Sequence, residues 1–378
     1  MKNVVIAGYC RSPFTPAGKG ALVKVRPDDL VAQVVKALVA RTGVNPNDIE
    51  DLIMGCAFPE GEQGLNIARL TVFLAGLPNT IAGMTLNRFC GSSMQAIHIA
   101  AGAIQMNAGD AFICAGVETM SRIPMGGYNN MPNPALYAAF PQAYIGMGDT
   151  AENLAVKYKI DRTAQEAFAL DSQKKAYAAQ QQGRFDEEIV PIVSKYGTVD
   201  KDGCLRPDST PEGLAALAPA FQATGSVTAG TSSPLTDGAA AVLVCSEDYA
   251  DAHKLPKLAR ILSHAVSGCA PEIMGIGPVV ATQKALHRAG LKLDDIDIVE
   301  LNEAFAAQSL AVLKELPIPP EKLNLDGGAI ALGHPLGTTG ARITGKAASL
   351  LKRENKRYAL ATQCIGGGQG IATILEAV

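Results

Sequence analysis

The chain has 378 residues, and a soft prior of about 150 residues per domain makes that two or three structural units. Hydrophobic residues make up 48% and charged residues 18%, enough apolar material for a large core and a composition that excludes general disorder. The formal net charge is −3 with no long basic run, which excludes nucleic acid as a partner, because affinity for a phosphate backbone needs clustered Lys and Arg.

The opening residues, Met1-Lys-Asn-Val-Val-Ile-Ala-Gly, read as a short strand over Val4–Gly8. They lack the charged start, apolar block and small-residue cleavage site of a secretory signal. No stretch approaches the roughly 20 apolar residues that span a bilayer, so the expectation is a cytoplasmic protein with no membrane partner. Further strands are expected at Leu52–Gly55 and Ala111–Gly116, separated by helices. Between the last two, Asn87-Arg-Phe-Cys-Gly-Ser-Ser-Met-Gln-Ala begins as a turn and becomes a small-residue helix. A cysteine at that helix start, Cys90, lies at the positive end of the helix dipole, which lowers a thiol pKa and favours thiolate. It reads equally as a buried structural cysteine, the commoner fate of a lone Cys.

From about Met120 to Val242 the character changes to irregular Pro- and Gly-bearing loops around a polar helical run, Asp161–Gly183. This reads as an insertion that carries loops over a site. Beyond it the early pattern returns. Ala37-Leu-Val-Ala-Arg-Thr-Gly43, Asp48-Ile49 and Ala57-Phe58 are echoed by Ala285-Leu-His-Arg-Ala-Gly290, Asp295-Ile296 and Ala304-Phe305, an offset of 247 to 248 positions. Cys90-Gly-Ser-Ser-Met-Gln-Ala lines up with Leu336-Gly-Thr-Thr-Gly-Ala-Arg at a similar offset. Strands are expected at Ile298–Leu301, Tyr358–Gln363 and Ile371–Glu376. The division is therefore 1–119, an inserted segment 120–247, and 248–378, with two similar α/β halves.

The second half holds three further candidates. Asn302-Glu-Ala-Phe lies where a strand becomes a helix, so Asn302 is either an N-cap or a holder of water against a developing oxyanion. His334 is flanked by Gly333 and Pro335, a rigid turn before a helix. An imidazole with a pKa near neutrality suits general-base work there. Cys364 follows a strand and enters Ile-Gly-Gly-Gly-Gln-Gly. Such a run turns backbone N–H groups toward a ligand, as an oxyanion site requires, or simply makes a tight turn between two strands. It does not fit Gly-x-Gly-x-x-Gly between strand and helix, so a nicotinamide dehydrogenase is disfavoured. The eight cysteines (Cys10, Cys56, Cys90, Cys114, Cys204, Cys245, Cys269, Cys364) contain no Cys-x-x-Cys and read as reduced thiols. The five histidines (His98, His253, His264, His287, His334) include no pair at ligand spacing, and no metal is expected.

Arg11-Ser-Pro-Phe, the Cys90 block, Thr228-Ala-Gly with Asp237-Gly-Ala-Ala-Ala, and the Asn302, His334 and Cys364 blocks together resemble the thiolase family, in its order and approximate spacing. The resemblance runs along nearly the whole chain and implies a thiolase-like duplicated five-layered α-β-α-β-α core with an inserted loop domain. It implies an acyltransferase that cleaves 3-ketoacyl-CoA, with coenzyme A as co-substrate and no permanently bound cofactor. Cys90 would attack the 3-keto carbon while His334 accepts or balances the proton. Cys364 would protonate the acetyl-CoA enolate and then deprotonate incoming CoA. Asn302 with a water and His334 would stabilise the thioester oxyanion, and the N–H groups of Cys90 and Gly366 the tetrahedral one. For coenzyme A the matching positions are Arg206, Phe221, Ser233, Met147 and Met274. The resemblance also implies a homodimer or homotetramer and, for the fatty-acid-oxidation type, association with a hydratase–dehydrogenase subunit.

Gly146 stands where many short-chain biosynthetic thiolases carry His, and the Cys90 block is closer to the thiolases of bacterial fatty-acid oxidation. Thr338-Thr339 and Pro234 are further departures that bear on substrate fit. The alternatives are a short-chain acetoacetyl-CoA thiolase running Claisen condensation, a decarboxylating 3-ketoacyl synthase, and a non-catalytic scaffold on the same fold. The second Cys at 364 argues against the synthase, and the presence of Cys90, His334 and Cys364 against the scaffold.

Overall fold

The computed structural model describes residues 2–378; Met1, part of the opening segment read above, lies outside the described residues. The first half contains β1 (Val4–Arg11), the short β2 (Thr15–Pro16), α1 (Pro27–Thr42), β3 (Ile49–Gly55), α2 (Ile67–Leu74), β4 (Ala82–Leu86), α3 (Ser92–Gln105) and β5 (Ala111–Thr119). The middle segment holds α4 (Pro134–Ala139), α5 (Met147–Lys157), α6 (Arg162–Gln181), a small hairpin of β6 (Ile192–Ser194) and β7 (Gly197–Val199), and α7 (Pro211–Ala215). Then come β8 (Thr236–Ser246), α8 (Glu247–Ala252), β9 (Ala259–Gly268), α9 (Gly277–Ala289), β10 (Ile298–Leu301), α10 (Ala306–Glu315), α11 (Ala329–Leu332), α12 (Thr339–Arg353), β11 (Tyr358–Ile365) and β12 (Gln369–Glu376).

Local chemistry explains the boundaries. Pro27 opens α1, Asp28 and Asp29 occupy its first turn, and Gly43 closes it at φ 72°. Gly290, the repeat-related glycine, closes α9 at φ 68°, a left-handed turn that favours glycine. Asp161 caps α6 by accepting the Ala164 N–H at 2.7 Å. β10 spans the residues read from sequence, the other strands read there run longer, and Cys364 lies inside β11 instead of after it.

The main sheet runs β10-β11-β12-β9-β1-β8-β5-β3-β4, with β2 added to β8. β3 is parallel to β5, while β5–β8 and β8–β1 are antiparallel. On the other side β10 is parallel to β11, while β11–β12 and β12–β9 are antiparallel. The two arrangements therefore mirror each other and meet at β1–β9, where Val5 faces Arg260 and Ile6 faces Ala259. One boundary read from sequence is corrected. Thr236–Ser246 fell within the segment 120–247, yet it is a core strand between β1 and β5, buried along its whole length. A strand covered on both faces is a continuous apolar run without alternation, so it carries no period to mark it.

Five layers result. α1 and α2 pack outside the first half-sheet, through residues such as Leu30, Val34, Leu38 and Val72. α3 and α12 lie between the half-sheets, where Ile97, Ile104, Ile343 and Leu350 meet side chains from both. α9 contributes Val279 and Leu286, and α10 Val312, to the far outer layer. Truncating one of these central Ile or Leu residues to Ala is worth about 2–5 kcal/mol. The central pair also positions the site. Ser93 Oγ accepts the Ala341 N–H at 2.8 Å, which brings the N-terminal ends of α3 and α12 together.

Candidate active site

Cys90 occupies the tight turn Phe89–Gly91 that opens α3. Phe89 has φ 42°, a left-handed conformation that costs a non-glycine residue about 1–3 kcal/mol. The surroundings hold it there. Asn87 Oδ1 accepts the Phe89 N–H at 2.7 Å, Ser92 Oγ accepts the Arg88 N–H at 2.8 Å, and the Ser92 hydroxyl donates to the Phe89 carbonyl at 2.6 Å. The Gln363 amide donates to the carbonyl of Cys90.

Cys90 is 8% exposed and packs with Ala57, Met120 and Leu336. Burial pushes its pKa up to about 12, Glu118 adds to the rise, and the N–H groups of Gly366 and of Cys90 itself pull it down. The lowered pKa expected from the helix dipole is thus overturned. Loss of water outweighs the N–H donors that face the sulfur, so Cys90 rests as a thiol and needs a base to become nucleophilic.

The candidate base is His334. The backbone N–H of His334 donates to Thr236 Oγ1 at 3.0 Å, and its Nδ1 lies 2.6 Å from Thr339 Oγ1. The Thr339 hydroxyl has a second acceptor, the Pro335 carbonyl, at 3.3 Å. With that hydroxyl proton on Pro335, the consistent tautomer is Nδ1–H, which leaves Nε2 as an acceptor. Burial, then the charge of Arg342, pushes the His334 pKa down to about 3. The near-neutral value expected from sequence is therefore corrected: His334 is a neutral imidazole. Nε2 stands 3.4 Å from Asn302 Nδ2.

Asn302 is not an N-cap. α10 begins at Ala306 with Phe305 in the cap position, and Asn302 follows the end of β10, where its N–H donates to the Thr362 carbonyl at 3.0 Å. Its Oδ1 is buried with no hydrogen-bond partner among the described residues. Cys364 is wholly buried, and burial, reinforced by the sulfurs of Cys90 and Cys269, pushes its pKa well above the ordinary thiol range. After it, Gly367 and Gly368 take φ 78° and 80°, which turn β11 into β12. The glycine run thus makes the hairpin turn, and the Gly366 N–H in it lowers the Cys90 pKa.

Beside Cys364, Met274, Met147, Phe305 and Ala304 form one apolar cluster. Phe221 is 45% exposed and meets Phe305 edge-on at 5.7 Å. The Ser233 hydroxyl donates to the Ala304 carbonyl at 3.1 Å. Met147, Met274, Phe221 and Ser233 therefore share one flank of the site. Arg206 stands outside that cluster: its N–H donates to Gln173 Oε1 at 2.9 Å, and its exposed guanidinium makes no ion pair among the described residues. A cavity of about 720 Å³ lined by Lys24, Arg26, Lys36, Arg122 and Lys195 contains none of these residues, so chemistry and not volume locates the site.

Sequence reading missed several supports. Glu118 is 1% exposed, and its carboxylate accepts the N–H groups of Ala57 at 2.8 Å, Gly337 at 2.9 Å and Phe58 at 3.3 Å, and the Gln63 amide at 2.8 Å. A charge ending an otherwise apolar run, as in Val117-Glu118-Thr119, was the available signal. Arg11, buried and paired with Glu188 at 2.8 Å and Asp202 at 2.7 Å, ties β1 to the middle segment.

Comparison with known proteins agrees along the whole length. A family model described as "Thiolase, N-terminal domain" matches residues 4–248, and one described as "Thiolase, C-terminal domain" matches residues 255–377. The chain is 46% identical to a 3-ketoacyl-CoA thiolase of Bacillus subtilis and 50% identical to one of Aliivibrio fischeri, with 100% of each chain covered in both cases. The crystal structure of human mitochondrial 3-ketoacyl-CoA thiolase in complex with CoA matches with a TM-score of 0.92 and 40% identity, over 100% of this chain and 98% of that one. The crystal structure of the Bacillus anthracis acetyl-CoA acetyltransferase matches with a TM-score of 0.92 and 41% identity, over 100% and 99%.

Proposed function

The chain belongs to the thiolase family, and we propose that it is a 3-ketoacyl-CoA thiolase of fatty acid β-oxidation, cleaving 3-ketoacyl-CoA with CoA to acetyl-CoA and a shortened acyl-CoA. The observation that carries this reading is the meeting of two thiols: β11, which carries Cys364, is tied to the Cys90 turn by the Gln363 amide on the Cys90 carbonyl, and the Cys90 sulfur raises the pKa of Cys364.

His334 Nε2 takes the Cys90 proton and Sγ attacks the 3-keto carbon. The adduct collapses, the C2–C3 bond breaks, and its electron pair leaves as the acetyl-CoA enolate. Cys364 donates its proton to C2. The Cys364 thiolate then takes the proton of incoming CoA, whose sulfur attacks the acyl-Cys90 carbonyl. Collapse expels Cys90, which recovers its proton from His334. The N–H groups of Cys90 and Gly366 receive the tetrahedral oxyanion, and Asn302 with His334 the thioester oxyanion; one such donor is worth about 10²–10³ in rate. A thiol with a raised pKa, Cys364, suits proton transfer with carbon and sulfur acids, and a neutral imidazole suits the activation of a buried thiol.

Coenzyme A lies along Met147, Met274, Phe221 and Ser233, with Arg206 toward the phosphates. The protein acts in the cytoplasm; among the described residues no helix is long and apolar enough to cross a membrane. It works as a homodimer or homotetramer, a reading supported by the free edge of β4 and by exposed Leu65, Phe73 and Leu74 nearby in sequence. Association with a hydratase–dehydrogenase subunit rests on the family resemblance alone.

The test is kcat/KM for thiolysis across 3-ketoacyl-CoA substrates of increasing length at saturating CoA. Each buried methylene adds up to about 0.8 kcal/mol, so activity rises beyond acetoacetyl-CoA. A monotonic fall from the shortest substrate replaces this reading with the short-chain acetoacetyl-CoA thiolase.

A further inference from the structure

Gln363 and Cys364 are neighbours in β11, and strand alternation sends their side chains to opposite faces. On the Gln363 face, Ala361 and Ile365 belong to the central core that includes α3. Ile365 Cδ1 stands 2.5 Å from where a Cβ on Gly91 would lie, so this strand presses directly on the turn that carries Cys90. There the Gln363 Nε2 donates to the Cys90 carbonyl, bridging 273 positions of chain. Its Oε1 is buried without a hydrogen-bond partner among the described residues. A buried amide with one half unsatisfied is a poor stabiliser compared with an apolar side chain of similar size. The half that is satisfied points at the nucleophile's own main chain.

A second glutamine does the same across the hairpin. Gln369 Nε2 donates to the Gly366 carbonyl at 3.3 Å, and its Oε1 accepts Arg88 Nη1 at 3.0 Å. Cys90 and Gly366 are the two residues whose N–H groups lower the Cys90 pKa. Each therefore has its carbonyl held by a glutamine of β11 or β12, and Arg88 links the second glutamine back to the Cys90 turn. With Phe89 in a left-handed conformation, that turn has an incentive to rotate unless its carbonyls are held.

We propose that Gln363 and Gln369 are positioning residues for acyl transfer, fixing the Cys90 and Gly366 backbones from the carbonyl one peptide beyond each N–H, so that the two N–H groups converge on the tetrahedral oxyanion. The inference rests on the acyl-transfer reading of Cys90. Donors of this kind act through preorganisation, and a shift of about 1 Å at such a site is worth about 10²-fold in rate.

Gln363→Met and Gln369→Met keep side-chain length and remove the donor. The measurements are kcat and KM for thiolysis and, in parallel, the rate at which iodoacetamide alkylates Cys90, a reaction that forms no oxyanion. The expected result is a kcat lowered about ten- to hundredfold, an alkylation rate lowered only about two- to threefold as the thiolate loses part of its N–H support, KM for CoA within about twofold of the parent, and an unchanged melting temperature. Should Gln363→Met fail to fold, Gln369→Met at the less buried position carries the same test. Unchanged kcat in both variants, or kcat and alkylation falling in parallel, overturns the proposal. A parent enzyme that forms no acyl-Cys90 overturns the acyl-transfer reading instead, and the positioning role with it.

Discussion

The two central helices begin alike and present different chemistry. α3 and α12 both follow a tight turn, Phe89–Gly91 and Leu336–Thr338, and each lies at the same place in its half of the mirrored sheet. The first turn stores a left-handed Phe89 and offers Cys90. The second is unstrained at its non-glycine residues, and His334 precedes it, oriented by Thr339. The loops beside them differ in the same sense. Ala57 and Phe58 follow β3 and donate their N–H groups to Glu118, near the end of β5. Beyond β10 comes Asn302, whose Oδ1 is buried without a partner among the described residues, and within β11 comes Cys364. Duplication supplied the scaffold twice, and only one copy needed to keep its loops closed on themselves. In the proposed reaction the first half gives the nucleophile and its support, while the second moves protons.

The strongest way to break that division is to exchange the roles of the two cysteines. Cys90→Ala removes the attacking sulfur and is expected to lower turnover about 10⁴-fold or more. Cys364→Ala is expected to lower turnover about 10²–10⁴-fold while leaving Cys90 open to iodoacetamide. Mass mapping after mixing with 3-ketoacyl-CoA in the absence of CoA places the acyl group on Cys90. An adduct on Cys364 would assign the nucleophile to the wrong half.

A middle-sized effect concerns His334. Its folded pKa, about 3, lies below the ordinary value of 6.5 because burial and Arg342 disfavour the cation. The unfolded chain therefore binds the extra proton first. The stability His334 permits is complete above pH 6.5 and is lost as pH falls from there toward 3, by about 2 kcal/mol at pH 5. His334→Gln removes that proton site. Denaturant titrations at pH 7 and pH 5 are expected to show a smaller acid loss in the variant than in the parent, by about that amount. Equal losses would mean that His334 titrates near its ordinary value.

How much of this was legible in sequence depended on the range of the forces involved. The strand at Ile298–Leu301 and the helical run beginning at Asp161 could be read because their signals lie within a few residues. Cys90, His334 and Cys364 stood out because a turn, a Gly-His-Pro and a glycine run are local too. The pKa directions were misread because a helix start is local whereas burial is not. Four distant segments contribute to the dry environment of Cys90, through Ala57, Met120, Leu336 and Gly366. β8 was assigned to the loops for a related reason, since only its neighbours β1 and β5 reveal it as core. Gln363 had no signal at all, because its partner lies 273 positions away.

The smallest effect tests the supporting side of the comparison. The Glu118 carboxylate receives only donors: the N–H groups of Ala57, Phe58 and Gly337, the Gln63 amide, and the Cys56 thiol at 3.7 Å. Glu118→Gln keeps the shape but turns an amide NH₂ toward an N–H, which leaves one buried donor unpaired and costs about 1–3 kcal/mol of stability. The negative charge of Glu118 also raises the Cys90 pKa, so its removal lowers that pKa and makes the thiol more reactive. Two readouts should therefore move in opposite directions: a lower melting temperature, and alkylation of Cys90 by iodoacetamide at neutral pH that is faster by about a factor of two to ten. Turnover per folded molecule should stay within about tenfold of the parent, since no proton in the proposed cycle passes through this carboxylate. A collapse of turnover at an unchanged melting temperature would instead place Glu118 in the proton path, and the first half would then do more than present and support the sulfur.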